Sequence, residues 1–116
     1  MIALLFVLLA QANLPAPAPV VPPTAAEMTA SGEIYGRRCA VCHGFDGKGQ
    51  TRRGEELGVP DFTSTAWQKA SSNEHIIHVI TYGGKKRGMI SFADRLSPEE
   101  IAAMVPFLRS LGAAQK

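Results

Sequence analysis

The chain holds two cysteines and one tryptophan in 116 residues. Two cysteines allow a single disulfide at most, which excludes a disulfide-stapled scaffold and a four-cysteine metal site. No stretch alternates apolar and polar residues in the manner of a strand, so the class is all-α. A long basic stripe interleaved with aromatics is missing, and with it the usual footprint of a nucleic-acid binder. Gly47-Lys48-Gly49 lacks the spacing of a phosphate loop. No acid–base pair or nucleophile array stands out, so no catalytic residue is assigned and the chain is not read as an enzyme. The continuous apolar run Ile2–Ala10 is far shorter than the roughly 20 residues a bilayer span requires.

That run has a different use. Ala10-Gln11-Ala12 follows it with small residues at cleavage-site positions, so residues 1–12 are expected to be a removable export signal. No Lys or Arg precedes the apolar run, which departs from the usual signal pattern. An uncleaved membrane tether is the alternative. Residues 13–23 carry five of the eight prolines and read as an extended linker, or as plain disorder. Residues 24–116 remain for one small domain with a thin core. The expected location is periplasmic or otherwise exported.

The chemistry sits in Cys39-Ala-Val-Cys42-His43. Two thiols three positions apart, followed by an imidazole, form the attachment signature of c-type haem. Each thiol can take one vinyl group of a porphyrin, and the histidine can coordinate its iron. Rival readings are a lone disulfide, a thiol–disulfide redox pair, and a zinc site using Cys39, Cys42, His75 and His78. A redox pair calls for a βαβ context, and His75 lies well beyond finger-type spacing from Cys42. Covalent haem is the preferred reading.

Helix signals place the other elements. Thr24 to Glu27 has capping-box form, with Ser31 a second candidate cap. Residues 44–60 are glycine-rich and charged, and read as a loop. Residues 65–70 read as one or two helical turns. Ser71 to Glu74 reads as another capping box, and Gly83 as a stop, for a helix over about 72–82. On it Ile76, Ile77, Val79 and Ile80 share one face, while His75 and His78 lie opposite, away from any iron. The last helix starts at Ser97, Pro98 and Glu100 and ends at Gly112. Its stripe is Ile101, Met104, Val105, Leu108 and Leu111, and Pro106 is expected to kink it.

A haem iron held by His43 has a second face. Of the four methionines, Met1 is in the signal, Met28 precedes the motif, and Met104 lies on a core stripe. Met89 lies in an irregular segment after Gly88, where a loop can bring its sulfur to the iron. It is the expected sixth ligand, and His/Met ligation raises the reduction potential.

These features together resemble a mono-haem class I cytochrome c over about 31–111. The matching residues are Gly32 and Tyr35 ahead of the motif, Gly44 after it, Pro60-Asp61-Phe62, Trp67, Gly88-Met89 and the closing amphipathic helix. The resemblance implies three to five helices around one covalent haem c. It implies that the first and last helices cross near Gly32, Tyr35 and Phe107. It makes the Pro60 carbonyl the acceptor for the second ring nitrogen of His43, and Trp67 either a propionate donor or ordinary core. Lys85, Lys86 and Arg87, with Arg52 and Arg53, form an expected basic collar for an acidic redox partner, or simply a solvated loop. The expected function is an exported single-electron carrier. Alternatives are an electron-transfer subunit of a larger dehydrogenase or oxidase, and a haem enzyme or small-ligand sensor with a labile sixth site.

Overall fold

A computed structural model of the protein describes residues 21–84, 86 and 88–113. The expected signal, residues 1–12, and most of the proline-rich stretch lie outside them. Six helices and no strand occur among the described residues: α1 Ala25–Arg38, α2 Ala40–His43, α3 Arg52–Leu57, α4 Thr65–Ala70, α5 Asn73–Tyr82 and α6 Pro98–Ala113. The all-α expectation holds. The count exceeds three to five because α2 and α3 are extra, and these are only four and six residues long.

Local chemistry explains the boundaries. The Thr24 hydroxyl accepts from the Glu27 amide at 3.1 Å, and the Glu27 carboxylate accepts from the Thr24 amide at 3.1 Å. That reciprocal cap starts α1, so Ser31 is not a cap. Ser31 is buried mid-helix and donates to the Ala103 carbonyl of α6 at 3.1 Å. The cap of α5 is Ser72, which accepts from the His75 amide at 3.1 Å, and not Ser71. Ser71 is buried and closes α4 instead. Ser97 and Glu100 form the expected box at 2.9 and 3.1 Å. α6 then runs uninterrupted through Pro106 to Ala113, one residue past Gly112. The carbonyl that loses its partner to Pro106 belongs to Ala102, which is exposed and can be satisfied by water.

The span 44–60 is not wholly a loop. Thr51 accepts from the Gly54 amide at 2.8 Å and so opens α3, and left-handed Gly58 (φ 66°) closes it.

α6 packs against α1, α4 and α5. Its Ile101, Met104, Val105 and Leu108 are buried with Ile34 and Tyr35 of α1 and Ile76 of α5. Phe62, Phe92 and Leu96 join them from the connections. Gly32 permits the α1–α6 approach: a Cβ there would sit 3.3 Å from the Phe107 ring. The Tyr35 and Phe107 ring centroids are 5.1 Å apart. Burying one large apolar side chain of this kind stabilises by about 1.5–3 kcal/mol.

Candidate haem centre

Cys39, Cys42 and His43 fall on the junction of α1 with the single turn of α2. The turn is held through its carbonyl groups. The Cys39 carbonyl accepts from the His43 amide at 2.9 Å, and that of Ala40 accepts from Gly44 at 2.8 Å. The Cys42 carbonyl accepts the Thr51 hydroxyl at 2.6 Å, and that of His43 accepts the Gly49 amide at 2.8 Å. The Gly44 carbonyl accepts both the Tyr35 hydroxyl at 2.6 Å and the Gly47 amide at 3.1 Å. Every carbonyl from Cys42 to Gly44 is therefore tied to a residue outside the turn. That fixes where the His43 ring emerges.

His43 is 8% exposed, and its ring stacks on Phe62 with centroids 4.5 Å apart and planes 20° from parallel. Burial lowers its pKa to about 4, so the imidazole is neutral at physiological pH and keeps a lone pair for a metal. Its Nδ1 is buried and has no hydrogen-bond partner. The expected bond to the Pro60 carbonyl is therefore not formed in this structure. Phe62, two residues on, supplies the ring's support. Phe62 is itself placed through its backbone: its amide donates to Gly47 at 2.8 Å, and its carbonyl accepts from Gln68 Nε2 at 2.7 Å. Gln68 also donates to Leu108 at 3.0 Å, and Arg109 donates to the Gln68 carbonyl at 2.7 Å.

Both cysteines are free. The Cys39 thiol is pushed up to about 11, first by burial and then by the neighbouring charge of Cys42. A thiol-redox pair needs the opposite shift, so that reading loses support. No group of three or more His, Cys, Asp or Glu side chains that could hold a metal ion occurs among the described residues, so Cys39 and Cys42 with His75 and His78 do not form a zinc site. His75 and His78 are exposed.

Met89 is half-buried and packs against the same apolar cluster as Cys39 and Trp67. Its amide donates to the Gly84 carbonyl at 3.3 Å, and its carbonyl accepts from the Gly84 amide at 3.1 Å. The following segment is strapped to the end of α5: Phe92 donates to Ile80 at 3.0 Å, and Ala93 donates to Thr81 at 3.1 Å. Within the irregular segment of the sequence, Met89 is thus tied to Gly84 by two backbone hydrogen bonds.

Trp67 is half-buried with its ring 4.6 Å from Phe62, and no indole hydrogen bond is found among the described residues. Within the expected collar, Lys86 is exposed, and Lys85 and Arg87 lie outside the described residues. Arg52 and Arg53 share Glu56 at 3.5 and 3.7 Å, so one carboxylate offsets part of their positive charge.

The residues present fit a covalently held haem. The fit rests on two free thiols on one turn and a buried neutral imidazole beside them. Sequence reasoning missed Thr51, Gln68 and Arg109, and missed Phe62 as the support of the His43 ring. Thr51 carried a signal, since it precedes a short polar helix closed by Gly58. Gln68 and Arg109 carried none, because their partners are distant in sequence.

The family model for "Cytochrome C oxidase, cbb3-type, subunit III" matches residues 26–108. The cbb3-type cytochrome c oxidase subunit FixP of Azorhizobium caulinodans is 35% identical over 72% of this chain and 27% of its own length. The subunit CcoP of Rhodobacter capsulatus is 33% identical over 75% of this chain and 30% of its own. The quinohemoprotein alcohol dehydrogenase ADH IIB of Pseudomonas putida is 33% identical over 92% of this chain, but only 16% of its own length. The chain thus spans about a quarter of the length of the oxidase subunits it matches. A solved structure, the KustC0563 c-type cytochrome, is 38% identical and superposes with a TM-score of 0.66, covering 70% of this chain and 95% of that one. The donor chemistry, the helical fold and these likenesses agree: the chain belongs to the cbb3-type oxidase subunit III family of c-type cytochromes, whose cofactor is covalently bound haem c.

Proposed function

We propose that the chain is an exported single-electron carrier that serves as an electron-transfer subunit or domain of a terminal oxidase. The observation that carries this is the donor set: a buried neutral His43 beside two free thiols, with Met89 pinned against the same cluster as Cys39. Cys39 and Cys42 would hold the porphyrin through thioethers, and His43 and Met89 would hold its iron. Bound haem supplies a reversible one-electron couple, and His/Met ligation raises its potential. The protein's part is to keep both ligands still, so that a change of charge meets little reorganisation. The carbonyl ties from Cys42 to Gly44 do this for His43, and the Gly84–Met89 bridge does it for Met89. Trp67 and Pro60 would line the pocket.

The oxidase assignment draws on the FixP and CcoP relatives, which are oxidase subunits. Service to a dehydrogenase is the second reading, favoured by the likeness to the Pseudomonas enzyme over most of this chain. Lys85, Lys86 and Arg87 would meet an acidic partner, speeding encounter more than tightening the complex. Residues 1–12 would direct export, with a membrane tether as the alternative. Among the described residues no helix is long and apolar enough to cross a membrane.

Two measurements test this. Denaturing intact-mass spectrometry, after expression with haem-maturation machinery, should give residues 13–116 plus one haem; a mass without haem refutes covalent attachment. Met89→Ala should open the ferrous protein to carbon monoxide, which the parent should resist. An unchanged spectrum in that variant would remove Met89 as ligand. Carbon monoxide binding by the parent would favour the sensor reading.

A further inference from the structure

The short helix α3 touches both ligand-bearing segments. At its start the Thr51 hydroxyl donates to the Cys42 carbonyl at 2.6 Å and accepts from the Gly54 amide at 2.8 Å. Gly54 lies so close that a Cβ there would collide with the Cys42 carbonyl oxygen and sit 2.5 Å from the Gly49 carbonyl. The backbone just before His43 therefore rests directly on the first turn of α3. At the other end of α3, Leu57 faces Gly88: a Cβ on Gly88 would lie 3.1 Å from Leu57 Cδ2. Gly88 immediately precedes Met89 and has φ +78°. One helix of six residues thus spans from the backbone before His43 to Gly88, the neighbour of Met89.

We infer that α3 is a strut that sets the spacing of the two axial ligands, with Thr51 and Leu57 as positioning residues. The inference rests on the reading of His43 and Met89 as ligands. Hydrogen bonds lock the His43 end. Among the described residues the Met89 end meets α3 through the Leu57–Gly88 approach and without a hydrogen bond, so the contact with α3 gives way there first. The lability of the sixth ligand is then governed by Leu57, which no ligand-motif reading of the sequence would single out. Leu57 is half-buried on a surface helix, so its truncation leaves the main core intact.

The test uses the holo-protein carrying Leu57→Ala, Leu57→Met or Gly88→Ala. Two rates are read: carbon monoxide binding to the ferrous form, and hydrogen exchange of the Gly84 and Met89 amides, which bond one another's carbonyls. Leu57→Ala and Gly88→Ala should raise both rates by about tenfold, and Leu57→Met should restore them. Thr51→Val should shift the reduction potential at unchanged haem content, and Thr51→Ser should return it. Parental rates in Leu57→Ala overturn the strut. So does a uniform rise in exchange across core amides, which marks general destabilisation. Failure of the ligand reading is seen separately: Met89→Ala would then bind carbon monoxide no faster than the parent. Amide exchange at Gly84 and Met89 would still decide whether Leu57 seats the Gly84–Met89 bridge.

Discussion

Replacing Tyr35 with Phe removes one oxygen and leaves the ring against Phe107 in place. The lost bond is the 2.6 Å donation to the Gly44 carbonyl, which keeps its second donor, the Gly47 amide at 3.1 Å. A buried neutral bond of this kind is worth about 1 kcal/mol net, so Tyr35→Phe should be less stable by that amount at pH 7. The difference should change sign with pH. Burial, with smaller effects from nearby Cys39 and Asp46, pushes the Tyr35 hydroxyl well above its usual value. The unfolded chain loses that proton near pH 10 while the folded protein keeps it, so the unfolded state binds fewer protons and stability falls as pH rises. The stabilising contribution is complete below about pH 10 and erodes by roughly 1.4 kcal/mol per pH unit above it. The Tyr35→Phe variant has no such loss, because its ring carries no titrating proton. The two stabilities should cross at roughly pH 10.7, where the titration cost reaches the ~1 kcal/mol of the bond. Urea unfolding of both holo-proteins from pH 7 to 11 measures this, because every other titrating group is common to the pair. A gap constant with pH would refute the protonation argument. Equal stability at pH 7 would refute the bond's contribution.

Gly54→Ala should cost more than about 2 kcal/mol and lower the yield of haem-loaded protein. Its Cβ would meet the Cys42 and Gly49 carbonyls, and backbone atoms cannot move aside cheaply; wild-type melting temperature in this variant would contradict that packing. Arg109 donates to Gln68 at 2.7 and 3.0 Å, to the Ser71 carbonyl at 2.6 Å and to Asn73 at 2.9 Å. Arg109→Met should therefore cost about 1.5–3 kcal/mol, read as a lower urea midpoint, and Arg109→Lys should recover only part because it lacks the planar fork. Ser31→Ala removes a single bond between α1 and α6 and should cost about 1 kcal/mol by the same assay.

Several features were legible from neighbouring residues alone. The haem-attachment turn, the caps at Thr24 and Ser97, the apolar stripe of α6 and the outward His75 and His78 each depend on contacts within a few positions. Short-range sterics and helical periodicity decide such contacts. Where two candidates stood side by side, local rules failed. Ser71 and Ser72 both suit a cap, and the choice fell to Ser72 because Ser71 is drawn into the interior, where its carbonyl receives Arg109. The span 44–60 resembled a loop because its glycines mask Thr51 as a cap, and α3 gains its support from the Cys42 carbonyl beneath it.

By itself, then, the sequence determined the helical class and the haem-attachment motif of Cys39, Cys42 and His43. Only the tertiary structure decided what surrounds that motif and the Gly88-Met89 segment. Phe62 reaches the His43 ring across 19 positions, Tyr35 reaches Gly44 across 9, and Leu57 meets Gly88 across 31. Contacts of that span depend on how the helices pack, because burial and close approach are properties of the assembled core and not of the local chain.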